Sequence, residues 1–345
     1  MKKLLVLFLS LFLVVGLVAC GNGADAPAVV DEVEDAVEEV ADEVEDEVED
    51  EVEEAVTEDV SDIRIGLTMA ERDQWLSYLE AAAVARADEL GVELVAQDSQ
   101  RDINSQLDHI QTFAAQGFDA IIVNVVDPAF TEAMVEAAAG VPIIFVNRMP
   151  DESFLEEGHI GYIGSDEMTA GRFQADFVAE YFEDRDPPEL DYVLFLGIIG
   201  HPGTTARSAS FREGMADYGF TINNVFEDTA NFDRAEAMDL MQQFLGTGVH
   251  FDVVIANNDE MALGAIEALR AVDMMDIPVL GIDASPHGVA SIIAGEMAAS
   301  VFQNPVGQGA GAVDKAIAAA RGENFPILTW VPFELVTPDN VHEYE

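Results

Sequence analysis

The sequence contains a single cysteine, Cys20, among its 345 residues. One cysteine excludes a disulfide within the chain, a thiolate metal cluster and, beyond that position, a cysteine nucleophile. The six histidines are scattered, and none of them forms the His-x-His or His-Glu-x-x-His spacing that binds zinc. We therefore expect no metal site and no cofactor.

Basic residues are also scarce, because 15 Lys and Arg stand against 67 Asp and Glu, for a formal net charge of −52. Nineteen of the acidic residues lie in the low-complexity segment 25–60, which has no Lys or Arg. Residues 61–345 still carry −35, with Lys315 as their only lysine. A surface of this charge repels nucleic acid and anionic lipid headgroups, so we expect neither as a partner.

The N-terminus has the pattern of a lipoprotein leader. Two lysines precede the apolar run 4–18, which is short for a permanent membrane span. The run ends in Leu-Val-Ala-Cys at 17–20, which resembles the bacterial lipobox, whose cysteine is lipidated. We predict a signal peptide over 1–19 and lipidation of Cys20, the alternative being an ordinary signal peptide. The chain would then be exported and anchored to the outer face of the cell membrane, or on the periplasmic side in a two-membrane cell.

Residues 20–61 are predicted to combine the lipidated cysteine with an acidic tether. Valines recur mostly every fourth residue in the acidic segment, which is the spacing of an apolar stripe on a helix. Like charges one turn apart oppose such a helix, so an extended, self-repelling spacer is favoured over a coiled coil.

From residue 62 onward, short β-branched runs alternate with helical patterns. The runs are continuously apolar, as in 120–124 and 253–257, which indicates strands buried on both faces of parallel sheets. Repeated βα units form either one barrel or two doubly wound sheets, and the pattern only slightly favours two sheets. Asn124, Asn258 and Asp283 follow such strands, at the edge where open α/β sheets bind ligands.

Several motifs occur in a fixed order along this region. They are Asp98-Ser99-Gln100, the run Ile122-Val123-Asn124-Val125-Val126-Asp127-Pro128, Gly200-His201-Pro202, Asp228-Thr229-Ala230, Val254-Ile255-Ala256-Asn257-Asn258-Asp259 and Gly281-Ile282-Asp283-Ala284. Together they resemble the periplasmic galactose/glucose-binding proteins, which are components of ABC sugar importers and ligands of chemoreceptors. The resemblance implies an α/β fold of type I, with two doubly wound parallel-sheet lobes joined by a three-crossover hinge. The implied lobes are 62–163 plus 304–329, and 164–303 plus 330–345.

The resemblance also implies a set of sugar contacts. Carried over one by one, they are Asp73, Trp75, Asn124, His201, Arg207, Phe232, Asn258, Asp283 and Gln303. Aromatic rings such as Trp75 and Phe232 suit the C–H faces of a sugar, whereas carboxylates, amides and guanidinium groups suit its rim of hydroxyls. Arg148, which follows another strand, is a further candidate for the cleft.

Three positions depart from the family pattern. Gly203 stands where the family has Asp, Phe232 where it has Trp, and Gln303 where it has Asn. The exact sugar is therefore open: galactose and glucose are favoured, but another hexose or a pentose could fit. The calcium loop of the enteric members has no counterpart, because residues 181–191 run directly into a strand.

The resemblance implies an extracytoplasmic substrate-binding lipoprotein of an ABC sugar importer, which captures a monosaccharide by hinge closure and acts as a monomer. Its partners would be the sugar and the transporter permease, and it would not be an enzyme. The alternative is a sugar receptor that reports occupancy to a chemoreceptor or membrane sensor. A glycoside-acting enzyme is disfavoured, because Asp73 and Asp283 lie among neutral amides. A dehydrogenase is disfavoured, because the turn at 66–69 lacks the Gly-x-Gly-x-x-Gly pattern.

Overall fold

The structure, a computed structural model, describes residues 60–345. The predicted signal peptide, Cys20 and nearly all of the predicted tether lie outside the described residues. The strands are β1 (Arg64–Met69), β2 (Glu93–Asp98), β3 (Ala120–Val123), β4 (Ile143–Val146), β5 (Ile160–Gly164), β6 (Glu189–Leu196), β7 (Thr221–Thr229), β8 (Val253–Ala256), β9 (Val279–Leu280), β10 (Ser300–Gln303), β11 (Leu328–Trp330) and β12 (Phe333–Val336). The α-helices are α1 (Gln74–Leu90), α2 (Ile103–Ala115), α3 (Thr131–Ala137), α4 (Glu167–Tyr181), α5 (Pro202–Asp217), α6 (Arg234–Leu245), α7 (Asp259–Ala271), α8 (Pro286–Ile293) and α9 (Pro305–Ala320).

The strands form two parallel sheets and one antiparallel pair. The first sheet has the order β11-β5-β4-β3-β1-β2, and the second has the order β7-β6-β8-β9. Strands β10 and β12 pair antiparallel to each other, and single bridges connect β10 to the chain around β9. Two separate open sheets exclude the single barrel that the sequence pattern left open.

Continuously apolar strands form the centres of both sheets. All residues of β3 and of β8 are buried, as is expected for parallel strands covered by helices on both faces. Successive side chains point to opposite faces, so Ile121 packs with Phe145 on one side while Ile122 packs with Leu67 on the other. Each sheet therefore has a hydrophobic core on both of its faces.

The chain passes between the two sheets three times. It leaves the first sheet after β5 ends at Gly164, and it returns after β10 ends at Gln303, where α9 packs against α1. It leaves again after β11 ends at Trp330, and β12 then pairs with β10. These three segments connect the two bodies of the molecule.

Side-chain caps begin the helices that follow the strands. Four of these caps join a side chain to a backbone N–H two or three residues later: Asp73 to Leu76 at 2.7 Å, His201 to Gly203 at 3.1 Å, Asn258 to Met261 at 3.0 Å and Ser285 to Gly288 at 3.1 Å. A helix that follows a parallel strand begins at the carboxyl edge of the sheet, so these capping side chains lie at that edge. Within residues 60–345, no helix has the length and apolar character that crossing a bilayer requires.

Candidate functional site

A cavity with about 590 Å³ of empty space, which includes its mouth to solvent, lies between the two bodies. It is lined by eight of the nine predicted sugar contacts, namely Asp73, Trp75, His201, Arg207, Phe232, Asn258, Asp283 and Gln303. The remaining lining residues are Gln74, Leu76, Asn147, Arg148, Glu167, Glu260 and Ser285. The fold thus brings residues far apart in sequence to one place, and we call this space the ring cavity.

The structure does not bring Asn124 to the ring cavity. This residue is fully buried after β3, where its Oδ1 accepts from the Ala70 N–H at 3.2 Å. Its Nδ2 donates to the Val146 carbonyl and to Asn147 Oδ1, both at 3.3 Å. The amide therefore holds neighbouring loops together, and Asn147, at the same position after β4, lines the cavity instead.

The two aromatic side chains of the ring cavity come from different bodies and are fixed by their surroundings. Trp75 lies in the first turn of α1, and its Nε1–H donates to the Gln303 carbonyl at 3.2 Å. Phe232 contacts the His201 ring edge-on, with centroids 5.3 Å apart. A Cβ at Gly197 would lie 2.1 Å from the Phe232 ring, so only glycine leaves room for this ring.

His201 offers a single, well-defined hydrogen-bond donor. Its Nδ1 accepts from the Gly203 N–H at 3.1 Å, so the proton of the neutral ring lies on Nε2. Burial, followed by the charges of Arg148, Arg207 and Arg101, lowers the pKa of His201 to about 2. The ring therefore stays neutral at physiological pH.

Arg207 is almost fully buried and is held by three acceptors. Its Nε donates to Glu167 Oε2 at 2.5 Å, its Nη1 to the Asn257 carbonyl at 2.6 Å, and its Nη2 to Gln303 Oε1 at 3.3 Å. Burial lowers the pKa of Arg207, but Glu167 and Asp283 outweigh it, so the net shift is upward and the charge is kept. Gln303 Nε2 is buried and has no partner among the described residues, which leaves its N–H groups for a ligand.

Two of the four carboxylates in the ring cavity have no ion-pair partner among the described residues. Glu167 is paired with Arg207, and Glu260 is paired with a second arginine outside the cavity. Asp283 is 6% exposed, and no described group donates to its carboxylate. Burial is the main reason why the pKa values of both Asp73 and Asp283 are raised, and Arg207 opposes that shift at Asp283.

The loop that carries Asp283 is strained and is anchored by Asp259. Asp283 has φ 119°, a backbone conformation that side chains rarely adopt. The fully buried Asp259 accepts from the Ser285 N–H at 2.7 Å and from the Ser300 hydroxyl at 2.6 Å. Ser300 Oγ in turn accepts from the Ala284 N–H at 3.0 Å. In the sequence, Asp259 stands out only as the last residue of a motif, and the motif does not predict this supporting role.

A possible metal-ligand cluster lies away from the ring cavity, at the amino ends of β6 and β8. Ligand atoms of Asp191, His250 and Asp252 lie within 4.8 Å of one another. Arg185 Nη1 already donates to Asp252 Oδ1 at 2.7 Å, and the Asp191 N–H donates to Oδ2 at 2.8 Å. Because a protein cation already neutralises Asp252, the cluster does not favour a metal ion.

The chemistry of the ring cavity suits a neutral ring with many hydroxyls. Free carboxylates accept from hydroxyls, while Arg207, His201 and Gln303 donate to them. The aromatic rings offer apolar contact to C–H faces. A ligand acid would meet Asp73 and Asp283, which have no ion-pair partner among the described residues, and this repulsion is unfavourable.

Comparison with known proteins also indicates a protein that binds a small ligand. The model of the periplasmic binding protein domain matches residues 65–324. A putative rhizopine-binding protein of Rhizobium meliloti is 37% identical over 260 residues, which is 74% of this chain and 83% of that protein. The D-galactose/methyl-galactoside binding periplasmic protein of Haemophilus influenzae is 29% identical over 308 residues, 82% of this chain and 92% of that protein.

A solved structure has the same fold. It is an ABC transporter solute-binding protein from Bacillus halodurans with bound myo-inositol, 35% identical, with a TM-score of 0.75. The alignment covers 84% of this chain and 99% of that one. All three relatives are described as binding proteins rather than enzymes, and the Bacillus halodurans protein is that of an ABC transporter. The chain belongs to the periplasmic binding protein family and has its type I fold, with two parallel-sheet lobes joined by a three-crossover hinge.

Proposed function

We propose that this chain is the substrate-binding lipoprotein of an ABC importer and that it captures a monosaccharide, with galactose and glucose as the first candidates. The observation that carries the proposal is a pair of carboxylates without ion-pair partners among the described residues, the half-buried Asp73 and the buried Asp283, in a cavity also lined by Trp75 and Phe232. Hydroxyl groups satisfy such carboxylates without bringing a charge into the cavity. Burying an unsatisfied acceptor would cost about 1–3 kcal/mol, so the cavity selects ligands that pair every group.

The proposed mechanism is closure of two lobes about the hinge. The lobes comprise 62–163 plus 304–329, and 164–303 plus 330–345, and the hinge is formed by the three connecting segments. A polar contact supports closure, because Gln74 Nε2 of the first lobe lies 3.2 Å from His287 Nδ1 of the second. Closure would bury the sugar and present one continuous surface to the permease.

Export and anchoring by lipidated Cys20, with the acidic segment as tether, remain part of the proposal and rest on the sequence. The protein would act as a monomer at the outer face of the cell membrane, or on the periplasmic side in a two-membrane cell. The alternative role, a sugar receptor that signals to a chemoreceptor or membrane sensor, uses the same cavity. A permease and an ATPase encoded beside this chain would favour transport.

Myo-inositol is a second candidate ligand. It has two C–H-bearing faces and a complete rim of hydroxyls, so the same side chains suit it. Two observations favour it: the 35% identical Bacillus halodurans protein was solved with bound myo-inositol, and Gly203 removes a carboxylate that the galactose/glucose-binding pattern has at this position.

The test is a ligand screen on the chain without its signal peptide and with Cys20→Ser, which prevents lipidation. Thermal unfolding is followed with galactose, glucose, ribose, myo-inositol and a matched set of sugar acids, and each hit is titrated by calorimetry. We expect at least one neutral ring polyol to raise the melting temperature and bind with one site per chain. Binding restricted to acids, or no shift with any neutral sugar or inositol, would refute the proposal.

A further inference from the structure

A second cavity of about 530 Å³ adjoins the ring cavity on the side of the hinge segments. The two cavities share Asn147, Arg148, Glu167 and His201, which form the wall between them. The second cavity, which we call the outer chamber, is further lined by Met149, Tyr162, Pro202, Gly203, Ala206 and Trp330. Because the two cavities share these four residues, a substituent on a ring bound in the first could extend into the second.

The polar groups of the outer chamber beyond the shared wall already have protein partners. The Tyr162 hydroxyl donates to the Asn147 carbonyl at 2.8 Å, and Ser165 Oγ accepts from Gln308 Nε2 at 2.9 Å. Asp166 caps α4. The other lining side chains, apart from the shared wall, are apolar, so the outer chamber suits a group that needs few hydrogen bonds.

Trp330 provides an apolar platform in the outer chamber. Its ring contacts Tyr162 edge-on with centroids 5.7 Å apart, and the residue is still 50% exposed. Gly203 leaves space beside the shared wall, because a Cβ at this position would lie 3.1 Å from the His201 ring and 3.4 Å from the Glu167 carboxyl carbon. A half-exposed tryptophan beside a ligand cavity is a ready contact surface for an alkyl group or an aromatic ring.

The wall between the two cavities contains an unused donor. Arg148 is 8% exposed, its Nη2 donates to Glu71 Oε1 at 2.8 Å, and its Nη1 donates to the Val125 carbonyl at 3.3 Å. Its Nε–H is buried and has no partner among the described residues. An ether or glycosidic oxygen only accepts hydrogen bonds, so a linking oxygen at the wall would satisfy this donor.

We propose that the outer chamber is a subsite for an uncharged, mainly apolar substituent on the ring ligand, joined to the ring through an oxygen that accepts from Arg148 Nε. This inference rests on the proposed function, because it needs a ring in the first cavity. The preferred ligand is then an O-alkyl or O-aryl derivative of a sugar or inositol. Asp166 and Glu167 disfavour an anionic substituent such as a phosphate ester.

The test compares each ring with its substituted forms in the same protein. Calorimetric titrations of the chain without its signal peptide use galactose, glucose and myo-inositol, the methyl ether of each hydroxyl, and the methyl and phenyl galactosides. We expect substitution at one position to preserve or tighten binding, while methylation at the other positions weakens it tenfold or more. Weakening of more than tenfold at every position would overturn the subsite and leave the proposed function intact.

Two variants locate the effect in the outer chamber. Trp330→Ala removes the platform, and Ala206→Leu narrows the chamber. Each should lower the ratio of affinities for the substituted and unsubstituted ring by roughly two- to tenfold, the range for loss of an aromatic contact. Ala81→Leu, on the exposed face of α1, is the matched control and should leave the ratio unchanged. An unchanged ratio in both variants would place the substituent elsewhere, and failure of every ring to bind would refute the proposed function and the subsite together.

Discussion

Replacing Asp283 with Asn should separate ligand binding from folding. The carboxylate accepts from no described protein group, so its loss breaks no hydrogen bond within the protein. Asn fits the same space and tolerates the positive φ of 119° better than Ala does. Because burial and the neighbouring Asp259 raise the pKa of Asp283, removing the carboxyl also relieves an unfavourable charge in the folded state. We expect the free energy of unfolding of the ligand-free protein to be unchanged or higher.

The effect on binding follows from the hydrogen bonds that the carboxylate would accept. Each hydrogen bond to a charged group contributes about 1.5–3 kcal/mol, so losing two of them costs about 3–6 kcal/mol. The dissociation constant should then rise by a factor of roughly 10² to 10⁴. At a ligand concentration of a thousand times the wild-type dissociation constant, ligand stabilisation falls from about 4 kcal/mol to about 1.4 kcal/mol or less. The melting temperature of a chain of this size changes by about 2 °C per kcal/mol of stabilisation. The rise in melting temperature caused by the ligand therefore falls from about 8 °C to about 3 °C or less.

Thermal unfolding with and without ligand measures both quantities in one experiment, and calorimetry gives the dissociation constants. Asp239→Asn is the matched control, because Asp239 is an exposed aspartate of α6 and does not line the ring cavity. A dissociation constant within threefold of wild type for Asp283→Asn would refute the assignment of this carboxylate to the ligand. Loss of the folded state without ligand would show that Asp283 supports the loop rather than the ligand.

Three further outcomes follow from the structure. Gly197→Ala should weaken ligand binding by roughly two- to tenfold in calorimetry, because its Cβ would lie 2.1 Å from the Phe232 ring and displace it; unchanged affinity would mean that Phe232 does not touch the ligand. Burial raises the pKa of Asp259 to about 7, so the folded protein holds a proton that the unfolded chain has lost. The difference in free energy of unfolding between wild type and Asp259→Asn, measured by denaturant titration, should therefore fall as pH rises from about 4 to about 7. A difference that rises over this range would contradict the raised pKa of Asp259. Lys315→Met should lower the free energy of unfolding by about 2 kcal/mol, because Nζ donates to two backbone carbonyls, at 2.6 and 3.1 Å; an equally stable variant would show that water satisfies those carbonyls.

The sequence predicts the sheets wherever strands are apolar on both faces. Strands β3, β4 and β8 are visible as unbroken apolar runs because helices cover both sides of them. The pattern misses β7, because this edge strand is polar and only partly buried. It also misses β12, whose partner β10 lies about thirty residues earlier in the chain. Local pattern alone could not separate two sheets from a barrel, since strand order depends on such long-range pairs.

The cavity residues are predictable where a motif fixes a helix cap. His201 and Asn258 cap α5 and α7, so their side chains lie at the ligand edge wherever those helices begin. Asn124 and Asn147 show the limit, because both follow buried strands and only one lines the cavity. The direction of each amide depends on its partners in neighbouring loops, which the sequence pattern does not contain.

The capping of four helices by residues that line the ring cavity limits how its specificity can change. A substitution at Asp73, His201, Asn258 or Ser285 alters the ligand contact and the start of a helix together, and loss of a cap costs about 0.5–2 kcal/mol. The suitable substitutions at these positions are therefore the other good capping residues, namely Asp, Asn, Ser and Thr. A library designed to redirect the protein to a new ligand should vary non-capping positions instead, such as Arg148, Phe232 and Gln303.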